Sequence, residues 1–528
     1  MTAEVRAFLA ARRRTSAGVL DRYVAVFALV MAAMVLGRPV SSLLAELVRQ
    51  ADPAQAGPGV ALVLLAVAGF AAAARAAGPV AVPGADASWL LLTPLDRRVV
   101  LGRTARVLLA VSVVAGLALG LGLLAAAGAP GPVLGYVIQA LVLGVAMSVG
   151  AMAMAVLSQS SQAWHTWLTV TLVVLVVAAA LAATGLWRTL PHLPDLFQGL
   201  PHSPPPSPLS DSAGHARALP TGTADGQGLP RGFAWVVVVV GASAVLVRRA
   251  WVALGRIPAA ALLRASTRAG HAASAAFTLD PGALTWIVED NHWRARTLRS
   301  RPWPALPAPF ALAWHDWRRV ARRPGRLAVL LATAALPWLL AGAGASEAVL
   351  GASVIAGALL VASTATAGAR RDADNPAMAR LLGVGRRPAL AARAILPAFL
   401  AATWASAALA GLTWASTALP GFTAAPANPA TGVAAWLFGV AVAPAIAAGA
   451  LRMARRKPVD HSLPVIDTPS GPIPTGPLMW AGTGPDVALL GSLPALAALT
   501  SGALEPGSLV AQAVLGLATL AVYIQRAR

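Results

Sequence analysis

Again and again this chain runs for about twenty residues with scarcely a charge, and that repetition limits its fold more than any motif does. Twenty residues in a helix span about 30 Å, the thickness of a bilayer's hydrocarbon core. Twelve such stretches can be read: 23–45, 57–79, 105–128, 132–157, 164–186, 232–253, 326–345, 347–367, 391–418, 430–451, 486–503 and 506–524. Composition agrees, with 57% hydrophobic residues, 12% charged residues and a mean hydropathy of +0.69. A soluble chain carries about 25% charged residues. A membrane barrel would show ten-residue segments of alternating polarity, and none is present. The expected fold class is all-α, a polytopic helical membrane protein of about 12 transmembrane helices. The first stretch follows a basic segment but has no convincing small-residue cleavage site after it, so it reads as a retained span rather than a signal peptide.

The net charge of +21 invites a nucleic-acid reading, but its distribution argues for a membrane one. With the N-terminus in the cytoplasm, 36 of the 41 basic residues fall in inside segments and 5 outside. That is the bias expected of cytoplasmic loops, and it requires an even number of spans. Both termini are expected in the cytoplasm, with the chain in the cell membrane and no nucleic-acid partner. The longest outside segment, 187–231, is dominated by proline, serine and glycine, cannot bury enough apolar surface to fold alone, and is expected as a flexible extracellular loop. The segment 452–484 is proline-rich and expected to be extended. The densest aromatic–arginine stretch, TWIVEDNHWRARTLRSRPWP at 285–304, reads as an interfacial or partner-docking segment.

Several chemistries are excluded. There is no cysteine, so no disulfide, thiolate metal site or cysteine nucleophile is available. A Walker A loop needs Gly-Lys-Ser/Thr, and Lys457, the single lysine, sits in RRKPVD. The chain therefore lacks any ATP-binding motif of that kind, and it reads as no enzyme and needs no cofactor. The eight histidines show no metal-ligand spacing such as His-Glu-x-x-His. Ser353, in GASV, has no histidine at partner depth and reads as a packing serine. No acidic residue lies in the middle of a span, whereas proton- and sodium-coupled carriers usually keep one there.

Two connectors look alike. SWLLLTPLDRRVVLGR, containing Trp89, Leu92, Asp96, Arg97, Arg98 and Arg103, follows the second stretch. NPAMARLLGVGRRPALAAR, just after Asp374 and containing Leu381, Leu382, Arg386 and Arg387, follows the eighth. Each passes from acidic residues through an apolar patch to a double arginine and then into a long span. The segments that lead into the first and seventh stretches also match. One carries Arg12, Arg13 and Arg14, the other Trp314, Asp316, Arg318 and Arg319, and both read as basic amphipathic helices along the membrane surface. The chain thus divides into a six-span half at 1–255, a basic cytoplasmic linker at 256–309 and a second six-span half at 310–528. Such internal symmetry is common in transporters.

This arrangement resembles the membrane (permease) subunits of ABC-2-type bacterial exporters, and actinobacterial permease-like proteins that fuse two six-span halves. That family is similar in having an amphipathic lead-in helix, six spans and a short coupling helix between the second and third. The resemblance implies an ATP-driven exporter whose separate ABC ATPase docks on the two connectors, with membrane lipids as the other partners and the substrate unspecified. An ATPase-independent transporter, or a membrane scaffold that transports nothing, is the alternative.

Overall fold

The computed structural model describes residues 53–81, 97–127, 133–184, 231–277, 304–381 except 323, 383–418, 505–526, and 429–501 apart from 458, 461, 463, 464, 469 and 470. The architecture is helical, with one small β-hairpin. In the first part of the chain the helices are α1 (Pro53–Ala77), α2 (Arg97–Ala127), α3 (Val133–Ser160), α4 (Gln162–Thr184), α5 (Arg231–Ala253) and α6 (Ala259–Phe277). Then come α7 (Ala308–Ala321), α8 (Pro324–Ala332), α9 (Leu336–Gly342), α10 (Glu347–Ser363), α11 (Ala367–Asp374), α12 (Pro376–Leu381), α13 (Arg386–Ala418) and α14 (Pro429–Ala454). The chain continues through β1 (Val465–Thr468), β2 (Gly471–Pro474), α15 (Thr475–Gly482), α16 (Pro485–Gly491), α17 (Leu493–Thr500) and α18 (Pro506–Gln525).

Eight helices among the described residues are long and apolar enough to cross a membrane, or nine if α10 and α11 count as one bent span. The chain is thus a multi-pass helical membrane protein by the length and composition of its helices. Their outward faces suit lipid. Val107, Leu109, Val111 and Val114 on α2 and Val170, Val173, Val174 and Val177 on α4 are exposed, which is tolerable only against acyl chains.

Twelve uninterrupted spans are not what the structure describes. The first expected stretch, 23–45, lies outside the described residues. The seventh is split into α8, a 3₁₀ turn at Thr333–Ala335, and α9. Pro337 is the cause: it donates no hydrogen bond and its ring crowds the carbonyl four residues back. The eleventh breaks at Ser492 between α16 and α17, with Pro494 opening the second piece. The eighth ends in a 59° bend between α10 and α11. There Ser363, Thr364 and Thr366 each donate to a carbonyl three residues back at 2.7 Å, a local bonding pattern that bends helices.

The proline-rich segment is extended only in part. β1 and β2 pair antiparallel in the register Val465↔Pro474 to Thr468↔Gly471, and α15 follows them directly. Arg456, just past α14, donates to the Thr483 carbonyl at 2.7 Å and lies 4.6 Å over the Trp480 ring. Trp480 Nε1 in turn donates to the Lys457 carbonyl at 2.7 Å.

Packing relies on small residues, because lipid offers no hydrophobic drive to bring helices together. Ser112, Gly116 and Gly120 form a four-residue ladder on α2 that faces Gly144 and Ser148 on α3. A Cβ on Gly120 would stand 2.7 Å from the Leu141 Cα, so only glycine permits this approach. Ser148 Oγ spans the crossing to the Ser112 carbonyl at 2.6 Å. The largest core joins α10, α13 and α14 through Ala358, Ala401, Ala405, Phe438 and Ile446 around the buried Trp404. The Trp404 indole donates to Thr333 Oγ1 at 3.0 Å, which holds α13 against the break between α8 and α9.

The helices also pair in a recurring order. α2 packs on α3 as α13 packs on α14, α3 on α5 as α14 on α18, and α1 on α2 and α3 as α10 on α13 and α14. The broken α16–α17 takes the position toward α10 and α14 that α4 takes toward α1 and α3. Leu339 of α9 meets Ala61 of α1 and Ala179 and Ala183 of α4.

Candidate functional site

The polar chemistry gathers at the end of the bundle where the arginines lie. α7 reads APFALAWHDWRRVA, and Leu312, Asp316 and Val320, four residues apart, share its buried face. Phe310, Trp314 and Trp317 are exposed, and the Trp317 ring meets Phe399 of α13 edge-on at 6.3 Å. A helix with aromatics outward beside a spanning helix suits the membrane–water interface. Arg318 and Arg319 of the lead-in sequence are half-buried on α7. The other lead-in segment, with Arg12, Arg13 and Arg14, lies outside the described residues.

An aspartate on a buried stripe needs a cation. Asp316 finds Arg393, two turns into α13, at 2.7 Å. Arg393 also donates from Nε to Asp372 Oδ2 at 2.9 Å and from Nη2 to Asp372 Oδ1 at 3.2 Å, a two-pronged fork. Its Nη1 reaches the Leu312 carbonyl at 3.3 Å as well. The Arg393 and Asp316 side chains are 6% and 4% exposed. One guanidinium therefore joins three elements: α7 through Asp316, α11 through Asp372 and its own α13. Lysine could not serve, since the planar fork is what satisfies two carboxylates at once. Gly368 of α11 leaves the space: a Cβ there would collide with both the Arg393 guanidinium and the Asp316 carboxylate. His315 Nδ1 lies 3.6 Å from the same carboxylate.

The second connector grows out of this joint. α11 ends at Asp374, which is exposed, and α12 ends at Leu381, which is 86% exposed. Leu382 lies outside the described residues. Arg386 and Arg387 are exposed in the first turn of α13. Cations there oppose the helix dipole, so helix stability does not explain their presence.

The first connector is arranged differently. Trp89, Leu92 and Asp96 lie outside the described residues, while Arg97, Arg98 and Arg103 occupy the first two turns of α2. Arg97 donates to the Ile257 carbonyl at 2.8 Å and Arg98 to the Val252 carbonyl at 3.3 Å. Both therefore satisfy carbonyls where α5 ends, and they fasten α2 to it. Arg268 of α6 likewise donates to the Ala76 carbonyl at 3.2 Å. His165, one of the eight histidines without metal-ligand spacing, lies near the start of α4 and 2.8 Å from Arg75. Among the described residues between 53 and 277 there is no carboxylate side chain; Asp86 and Asp96 of the first connector lie outside them. The aromatic–arginine stretch 285–304 lies outside the described residues but for Pro304.

A model of a family of unknown function (DUF6297) matches residues 50–464. The chain belongs to that family. The matched region takes in both connectors and the Asp316–Arg393–Asp372 joint. No curated protein and no solved structure matches the chain.

In the sequence Asp316 stands out on the lead-in helix, whereas Arg393 is one more charge of an inside segment. The signal was available: an arginine seven residues beyond Arg386 lies inside a span, where an ionisable group needs a partner. Gln512 carries no such signal in the sequence. Fully buried on α18, it accepts from the Ala495 amide at 3.0 Å and donates to the Gly491 carbonyl at 2.9 Å. It thus bridges the break between α16 and α17.

Proposed function

We propose that this protein is the membrane-spanning permease subunit of an ATP-driven ABC-type exporter, working with a separate ATPase docked on the connectors of its arginine-rich end. The observation that carries this reading is the second connector. Leu381 stands 86% exposed on a short helix, beside the charged end of α13, and that helix follows an element clamped by Arg393 to a spanning helix. An apolar side chain held out among charged ones gives a protein partner one anchor point. A push on α11–α12 would pass through Arg393 to α13 and α7 without crossing a flexible loop.

The finer architecture belongs to the same proposal: twelve spans in two halves, 1–255 and 310–528, with 187–231 outside, both termini in the cytoplasm and the chain in the cell membrane. The recurring order of helix pairing supports the halves, and the 36-to-5 division of basic residues supports the orientation. In this cysteine-free chain, Gly214→Cys is expected to label from outside and Gly385→Cys not. The reverse pattern would invert the topology.

The functional test is purification from native membranes in mild detergent. An ATPase subunit is expected with the wild type and is lost with Leu381→Asp combined with Arg386→Ala and Arg387→Ala, while membrane insertion persists. If the wild type retains no ATPase, or the triple variant retains it equally, the reading fails. An ATPase-independent transporter draws support from the breaks in α8–α9 and α16–α17, since discontinuous helices form the sites of many secondary transporters. Transport by the purified chain in vesicles without nucleotide would select it.

A further inference from the structure

A groove of about 930 Å³ opens between α2, α3 and α5 of the first half. Its walls are apolar, with Leu109, Leu117, Val142, Val149 and Val240 among them, and it carries a single charged residue, Arg248. Arg248 stands beside Trp251 at the end of α5 where Arg97 and Arg98 fasten α2. The groove is therefore polar at the arginine-rich end and apolar toward the membrane centre. From Val240 to Val252 it follows twelve residues of α5, about 18 Å at 1.5 Å per residue. One leaflet of a hydrocarbon core about 30 Å thick is about 15 Å deep. Ser243, the one hydroxyl on the wall, is committed to the Ala146 carbonyl at 2.7 Å, so the deep part offers a ligand no polar contact.

We propose that this groove holds an anionic phospholipid of the leaflet on the arginine-rich side, with an acyl chain along α2, α3 and α5 and its headgroup phosphate at Arg248. Three matches support that occupant. The depth fits one leaflet. The charge lies at the headgroup level, and Trp251 beside it is a residue type that favours that level. Among the described residues that line the groove, Arg248 is the one that carries a charge. A water-soluble substrate would find one polar end and a dry wall. The assignment does not depend on the exporter reading, because it rests on the groove alone.

The test is native mass spectrometry of the full chain in mild detergent with added phosphatidylglycerol or phosphatidylcholine. The wild type is expected to keep one phosphatidylglycerol through a detergent wash that removes phosphatidylcholine. Ala244→Trp fills the groove from an exposed wall position and is expected to lose that molecule. Arg248→Gln is expected to bind it about fivefold more weakly, the factor that corresponds to about 1 kcal/mol per arginine near an anionic surface. Arg264→Gln, on α6 away from the groove, is expected to behave as wild type. Equal retention in Ala244→Trp would mean the bound lipid lies elsewhere and overturns the site. Loss in Ala244→Trp with full retention in Arg248→Gln overturns the headgroup assignment. A disulfide between Met34→Cys and Ala244→Cys would show the chain's own first apolar stretch in the groove, and overturns it too.

Discussion

Replacing Arg393 with alanine should destabilise the second half more than any other single change among its charged residues. The substitution removes charge-assisted bonds to Asp316 at 2.7 Å and to Asp372 at 2.9 and 3.2 Å. It leaves Asp316, 4% exposed, buried without its cation. Breaking one side of a buried pair costs about 3–5 kcal/mol, mostly from the charge left behind. Asp316→Asn keeps the shape and one acceptor, so it should cost less, about 1.5–3 kcal/mol, the worth of a hydrogen bond to a charged group. Removing all three, with Arg393→Ala, Asp316→Ala and Asp372→Ala together, leaves no buried charge and should recover part of the loss. Unfolding by sodium dodecyl sulfate in mixed micelles measures these differences, and limited proteolysis after Arg322 reports whether α7 detaches. A cost below about 1 kcal/mol for Arg393→Ala, the range of solvated surface pairs, would refute the buried joint. So would a triple variant no more stable than Arg393→Ala alone.

Gly368→Ala should lower thermal stability even though glycine-to-alanine inside a helix ordinarily gains up to about 1 kcal/mol; a gain would mean that the new Cβ does not displace Arg393. Gln512→Leu should destabilise by about 1–3 kcal/mol for each backbone group left unsatisfied at Gly491 and Ala495, seen as faster amide exchange at the α16–α17 break, and unchanged exchange there would refute the bridging role. Arg97→Ala with Arg98→Ala should loosen α2 from the end of α5 and lower the melting temperature in detergent even without any partner present. By contrast, Arg386→Ala with Arg387→Ala should leave the melting temperature within about 1 °C of wild type, as surface substitutions within about 0.5 kcal/mol do; equal effects at the two pairs would refute the different roles assigned to them.

The sequence by itself determined the class of this protein and the places where most of its helices lie. Hydropathy is a sum over about twenty neighbouring residues, so α1 to α5, α13, α14 and α18 could be read directly from their apolar lengths. The same sum hides a break. Pro337 and Pro494 are apolar, and the run Ser363–Thr366 costs little hydropathy, so the interruptions beside them disappeared into the expected spans. The two connectors looked equivalent because composition records that a double arginine begins a span, not what it touches. Only the folded chain turned Arg97 and Arg98 toward the end of α5 and placed Arg386 and Arg387 at exposed positions in the first turn of α13. The joint at Arg393 is the clearest case. Its partners lie 77 and 21 residues away, and the glycine that makes room for it sits on α11, one turn before Asp372. No local pattern can show which buried charges meet, because burial obliges a charge to find a counterion while tertiary packing alone decides which one comes within reach.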